Sequence, residues 1–182
     1  MRLVSTMVMV FVVCLLGCTT TPQVAPTSGA NSSEMAARDE TTNAAREAVI
    51  DVLNERIEAI RAKNAVAATA TLSPTIIAFE MVPPLSLPPG AAADVDSLAA
   101  WLARWQDIDI HMQDVVVHAA GDVAFAHSLH RLSGTMTDGR SLSIWMRSTV
   151  GLRKEKGTWK IVHAHTSVPV RPDGKAAFDL EP

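Results

Sequence analysis

The sequence predicts an α+β domain, and three observations predict it. Apolar residues recur at helical spacing between Asn43 and Lys63, at Val49, Val52, Leu53, Ile57 and Ile60. From Ile108 to Val168 only strand-like runs occur, separated by Ala120-Gly121-Asp122, Thr137-Asp138-Gly139 and Lys156-Gly157, the residues that tight turns demand. A further helical pattern sits between an isolated strand-like run and those four strands. Helices segregated from a series of hairpin-connected strands define the α+β class. Long twisted strands curl, and helices laid in the hollow leave a natural pocket.

The chain begins Met1-Arg2 and then runs apolar from Leu3 to Leu16. That run is too short to span a bilayer as a mature helix and fits a signal-peptide core. It ends in Leu15-Leu16-Gly17-Cys18, which resembles the bacterial lipobox. Residues 1–17 are therefore expected to be removed as a signal peptide, and Cys18 to become the lipidated first residue. Several acyl chains on one residue anchor a protein stably. The alternative is an ordinary signal peptide with chance cysteines. If the cell is Gram-negative, Thr19 after Cys18 carries no inner-membrane retention aspartate, so the outer membrane, facing the periplasm, is the expected location. The chain has two cysteines, and neither Cys14 nor Cys18 is left for a disulfide, a thiolate metal site or a nucleophile in the folded domain.

Residues 18–41 are rich in Thr, Pro, Ser, Ala and Asn and bury too little to order themselves, so a tether is expected. Thr41, Thr42 or Asn43 is placed to cap the first helix. Arg46, Glu47, Glu55, Arg56, Glu58 and Arg61 supply its wet face. Asn64 to Leu72 reads as a short second helix, broken by Ser73-Pro74. Thr75 to Val82 reads as a strand. Pro83 to Gly90, with four prolines, cannot pair in a sheet or continue a helix. Asp94 or Asp96 caps a helix bearing Leu98, Trp101, Leu102 and Trp105. Strands then follow over Ile108–Ala119, Val123–Met136, Arg140–Lys154 and Thr158–Val168. The domain is expected to span 42–169, and the tail 170–182 to be loose.

Alternation along the last two strands puts Trp145, Arg147 and Thr149 on one face of the first. It puts Trp159, Ile161, His163, His165 and Ser167 on one face of the second. Polar, charged and aromatic groups on one face suit a pocket wall.

These residues also carry a resemblance. Trp145-Met-Arg147-Ser-Thr149, the run from Gly157 through Trp159, His163, His165 and Ser167 to Pro169, and Phe79-Glu80-Met-Val-Pro83-Pro84-Leu85 are similar to the SnoaL-like, ketosteroid-isomerase-like branch of the nuclear transport factor 2-like superfamily. The resemblance covers roughly Asn43 to Pro169. It implies a cystatin-like cone, often a homodimer, with a pocket between curved sheet and helices. Fold alone is a weak warrant for chemistry. A ketosteroid isomerase uses a carboxylate base and an oxyanion hole of a tyrosine and a protonated aspartic acid. This chain has no tyrosine, so steroid isomerisation is not expected.

Glu80 falls near where the family places its acid. The catalytic candidates are thus Glu80, His163, His165 and Arg147, with a carboxylate or histidine taking a proton beside a carbonyl and Arg147 stabilising charge or pairing with Glu80. Phe79, Trp145, Thr149, Trp159 and Ser167 are expected to line the pocket. The competing readings are a solvated edge glutamate, and an Arg147 on a wet face or dimer interface. His163 and His165 point the same way, a pair that can share a metal with a third ligand from His127, His130, Glu80 or Asp114, although no metal or other cofactor is expected. His127 and His130 face opposite ways. The expected partners are a small apolar organic ligand, a membrane through Cys18, and a second copy of the chain. The competing reading is a non-catalytic ligand-binding or protein-interaction module.

A formal net charge of −3 without a basic patch argues against nucleic acid. The chain shows no Gly-rich phosphate loop, no nucleophile elbow, no paired metal cysteines and no nucleotide fingerprint.

Overall fold

The computed structural model describes residues 30–182. The expectations for the leader and for Cys18 fall on residues outside that range.

Helix α1 spans Ala30–Arg61 and begins well before the expected start. The stretch expected to be tether is helical from Ala30, and residues 32–44 are exposed. Alanine is the commonest residue in this part, beside two glutamates, a methionine and an arginine, and their helix propensity does not depend on a core. Thr41 is accordingly no cap. Its hydroxyl donates to the Ala37 carbonyl at 2.8 Å within the helix. From Val49 onward the helix buries Val49, Leu53, Ile57 and Ile60, each burial contributing roughly 2 kcal/mol. Its C-terminus is tied down by Arg61, which donates to Asp109 at 2.7 Å and to the Ile110 carbonyl at 2.6 Å.

Helix α2 (Ala65–Ala70) is capped by Asn64, whose side chain accepts from the Ala67 amide at 3.0 Å. Strand β1 (Leu72–Phe79) follows, so Ser73-Pro74 ends the helix by opening a strand. The Pro-rich loop and a short 3-10 turn (Ala91–Ala93) lead to helix α3 (Val95–Leu102). Asp94 caps α3, accepting from the Ser97 amide at 2.7 Å. Trp105, expected on the helix stripe, instead opens strand β2 (Trp105–Ala120). Strands β3 (Val123–Met136), β4 (Ser141–Glu155) and β5 (Thr158–Ser167) complete the chain of hairpins.

The five strands form one sheet in the order β1-β5-β4-β3-β2, with β1 parallel to β5 and every other pair antiparallel. The helices cover one face of it, which gives the α+β cystatin-like cone. Of the register shifts in the sheet, two bear on the site. In β2, an extra residue between Gln113 and Val116 places Asp114 at φ 54. In β5, Gly151 pairs with His163 while the adjacent Leu152 pairs with Ile161, so Val162 is the unpaired residue of a bulge. Bulges of this kind bend a strand and sharpen its twist.

The tail is more ordered than expected. Val170 bridges Ala176, Ala177 is buried, and Arg171 pairs with Asp179 at 2.7 Å. It returns across the outside of the sheet, where the Trp145 indole N–H donates to Glu181 at 2.6 Å.

Candidate functional site

The bulge at Val162 decides which residues meet in the hollow. Before it, Trp159 and Ile161 point into the core. After it the alternation is inverted, so Ala164 and Thr166 face inward and His163, His165 and Ser167 face outward. The expectation that Trp159, Ile161, His163, His165 and Ser167 share one face is therefore corrected by one extra residue.

On the inner face a cavity of about 510 Å³ lies between the sheet, α1 and the start of the Pro-rich loop. Its wall is mostly apolar, with Trp101 and Trp105 beside Met81, Met112, Met136 and Met146. A few polar groups converge on it. Ser148 and Thr166 come from β4 and β5, and His130 from β3. Arg56 enters from α1, and Glu80 from the residue after β1. Apolar walls with a handful of placed polar groups characterise small-molecule sites.

Each polar group has a distinct state. Arg56 donates through Nη1 to the Ala68 carbonyl at 2.7 Å. Burial lowers its pKa from the usual guanidinium value, and the charge of Glu80 opposes that shift. His130 Nε2 lies 2.9 Å from the Ser128 hydroxyl. Burial pulls its pKa down to about 4, so the imidazole is neutral at neutral pH. Glu80 lines the cavity but stays exposed, at the open side.

Of the catalytic and pocket candidates named from the sequence, Glu80 lines this cavity, and so does His130, named there only as a possible metal ligand. Trp159 is a core residue, 5 % exposed, stacked under the Lys154 ammonium at 5.2 Å. Trp159 also borders a more open groove of about 610 Å³ between α1, α2 and the start of β5, lined by alanines and by Glu55, Glu58, Asn64 and Lys160. Phe79, Trp145, Arg147, Thr149, His163, His165 and Ser167 do share a face, as alternation requires, but it is the outer face. There Thr149 is opposite His165 and Arg147 opposite Ser167. Phe79 meets His163 and His165 edge-on, with centroids 5.2 and 6.0 Å apart. Trp145 lies under the Arg131 guanidinium at 5.8 Å. Arg147 is exposed, and among the described residues it makes no ion pair with Glu80.

His118 and His127 stack with Phe125 on the same outer face. His127 and His130 do point to opposite faces. Among the described residues, no three His, Cys, Asp or Glu side chains gather to hold a metal, so the His163/His165 pair has no third ligand there.

Sequence reasoning missed Arg56, Ser148 and Thr166, and gave His130 a metal-ligand role rather than a place in this cavity. A signal for Arg56 existed: it lies three residues after Leu53 and four before Ile60, on the apolar stripe rather than opposite it.

Residues 49–171 match the SnoaL-like domain family. No curated protein matches the chain. Among solved structures, an NTF2-like (nuclear transport factor 2-like) protein of unknown function from Pseudomonas putida KT2440 is 29% identical, with a TM-score of 0.69 over 78% of this chain and 99% of that one. An NTF2-like superfamily protein from Salmonella enterica serovar Typhimurium is 15% identical, with a TM-score of 0.61 over 71% and 94% of the two chains. The hexachlorocyclohexane dehydrochlorinase LinA-type3 from Novosphingobium barchaimii is 13% identical, with a TM-score of 0.58 over 68% and 85%. The cone with its curved sheet and these matches have one meaning: the chain belongs to the SnoaL-like domain family of the NTF2-like superfamily.

Proposed function

We propose that this domain binds a small, mostly apolar organic molecule in the cavity between its helices and sheet. The observation that carries the reading is the cavity itself, about 510 Å³ with an apolar wall and a few convergent polar groups. Such dimensions suit a small organic ligand. The proposal is tested by native mass spectrometry of the purified protein. A non-covalent organic adduct is the expected result. A protein that carries no adduct, and whose melting temperature no apolar small molecule raises, contradicts it.

Acid/base chemistry on that molecule is a narrower proposal. Glu80 is the one carboxylate among the residues lining the cavity, and it can take a proton beside a carbonyl. With Arg147, His163 and His165 on the outer face, charge stabilisation falls to Arg56 and the hydroxyls of Ser148 and Thr166. Glu80→Gln should abolish turnover of any substrate found while leaving the fold intact. Unchanged turnover leaves a ligand-binding module without chemistry.

Two further features belong to the proposal. The outer face exposes Phe79, Val116 and Phe125, which supports its being covered by a second copy of the chain. The leader and Cys18 support a lipid anchor in the cell envelope, at the outer membrane in a Gram-negative cell. Replacing Cys18 by Ser should then stop palmitate incorporation and release the protein from membranes.

A further inference from the structure

We infer that the cavity is built for an organic anion, an apolar body whose carboxylate meets the Arg56 guanidinium. The inference rests on the cavity being the ligand site and names the class of ligand.

Its first support is Arg56. The side chain lines the cavity from α1, at the level of Leu53, Ile57 and Ile60. A guanidinium offers five N–H donors, and among the described residues Arg56 uses one of its nitrogens, in the bond to Ala68. It forms no ion pair there, and Glu80 acts on it through space only. A charge so placed needs an anionic partner or further acceptors. The planar fork of an arginine fits a carboxylate through two parallel hydrogen bonds.

The second support is the charge of the wall. Arg56, Arg104 and Arg140 line the cavity together with Glu80. Arg140 is paired with Asp138 at 2.8 Å, which leaves Arg56 and Arg104 facing one carboxylate. The chain as a whole is acidic, at −3, so the positive wall is local to the cavity and favours entry of an anion.

The third support is what surrounds the arginine. His130 is neutral and adds no competing charge, while the hydroxyls of Ser148 and Thr166 can donate to a second oxygen. Trp101, Trp105 and the methionines accept an apolar body, and methionine adapts to its outline.

The test uses two matched probe pairs, decanoate with decan-1-ol and 2-naphthoate with 2-naphthalenemethanol. Binding is followed by calorimetry and by the fluorescence of Trp101 and Trp105. The expected result is that at least one carboxylate binds about tenfold or more tightly than its alcohol. Arg56→Met should erase that preference while still binding the alcohol. Glu80→Gln, an exposed and conservative change, should raise the carboxylate-over-alcohol preference several-fold, which keeps the test intact if Arg56→Met does not fold. Equal affinity for acid and alcohol overturns the anion inference but leaves the cavity as a ligand site, as does a ratio untouched by either variant. Binding of none of the four probes overturns both.

Discussion

His130 shows how much one buried side chain can determine. It faces from β3 the cavity that Arg56 and Glu80 also line, and its pKa is depressed to about 4 by burial. An unfolded chain binds that proton at about 6.5. Between those values the unfolded state holds more protons, so stability falls as pH drops from 6.5 towards 4. The loss is at most about 3 kcal/mol. Thermal unfolding at pH 7 and pH 4.5 checks this: the wild type should lose more melting temperature on acidification than His130→Gln. Equal losses would show that another group carries the acid sensitivity. Residues of this kind were the least legible in the sequence. Arg56 looked like one charge among several on a wet helix face, and only its spacing from Leu53 and Ile60 separated it from Glu55 and Glu58. Glu80 was recognised because a family motif marks it, whereas Ser148 and Thr166 carry no motif at all.

At the scale of elements, the legible part was extensive. Strand β3 starts and ends where alternation and turn residues placed it, β4 is shifted by one residue at both ends, and β5 ends one residue early. Periodicity and turn chemistry are local, so sequence carries them. The bulge at Val162 is not local: it is fixed by packing of Leu152 and Ile161 against the core on one side and the Phe79 contact with His163 on the other. One unforeseen residue moved His163, His165 and Ser167 to the outside, while Trp145, Arg147 and Thr149 face outward through the alternation of β4 itself. The start of α1 escaped for a different reason, since its exposed first turns have no apolar stripe to read. Gly134 gives this scale its prediction. It sits in β3 at φ 149, and a Cβ there would lie 2.3 Å from the Asp107 carbonyl oxygen of β2. The backbone must part for any side chain, so Gly134→Ala should destabilise the fold by about 2 kcal/mol or more. Urea denaturation measures it, and a loss under about 0.5 kcal/mol, as at an ordinary surface site, would mean that the β2–β3 pair is looser than this close approach implies.

For the whole molecule, the sheet separates two surfaces of different chemistry. The inner one holds the cavity. The outer one gathers His111, His118, His127, His163 and His165 around exposed aromatic and aliphatic side chains. If a second copy covers it, analytical ultracentrifugation should find a dimer, and Phe125→Glu should shift it to monomer by placing a charge where an apolar ring is covered. A monomeric wild type would leave that face to another partner. The central claim concerns the inner surface, and a cavity-filling substitution tests it most directly. Ala164 lines the cavity on β5 beside Val150, and Ala164→Phe would occupy the space a ligand needs. Native mass spectra of the wild type and of the folded variant should show an organic adduct on the first and none on the second. An adduct that survives Ala164→Phe but is lost with Phe125→Glu would place the ligand on the outer face and contradict the account.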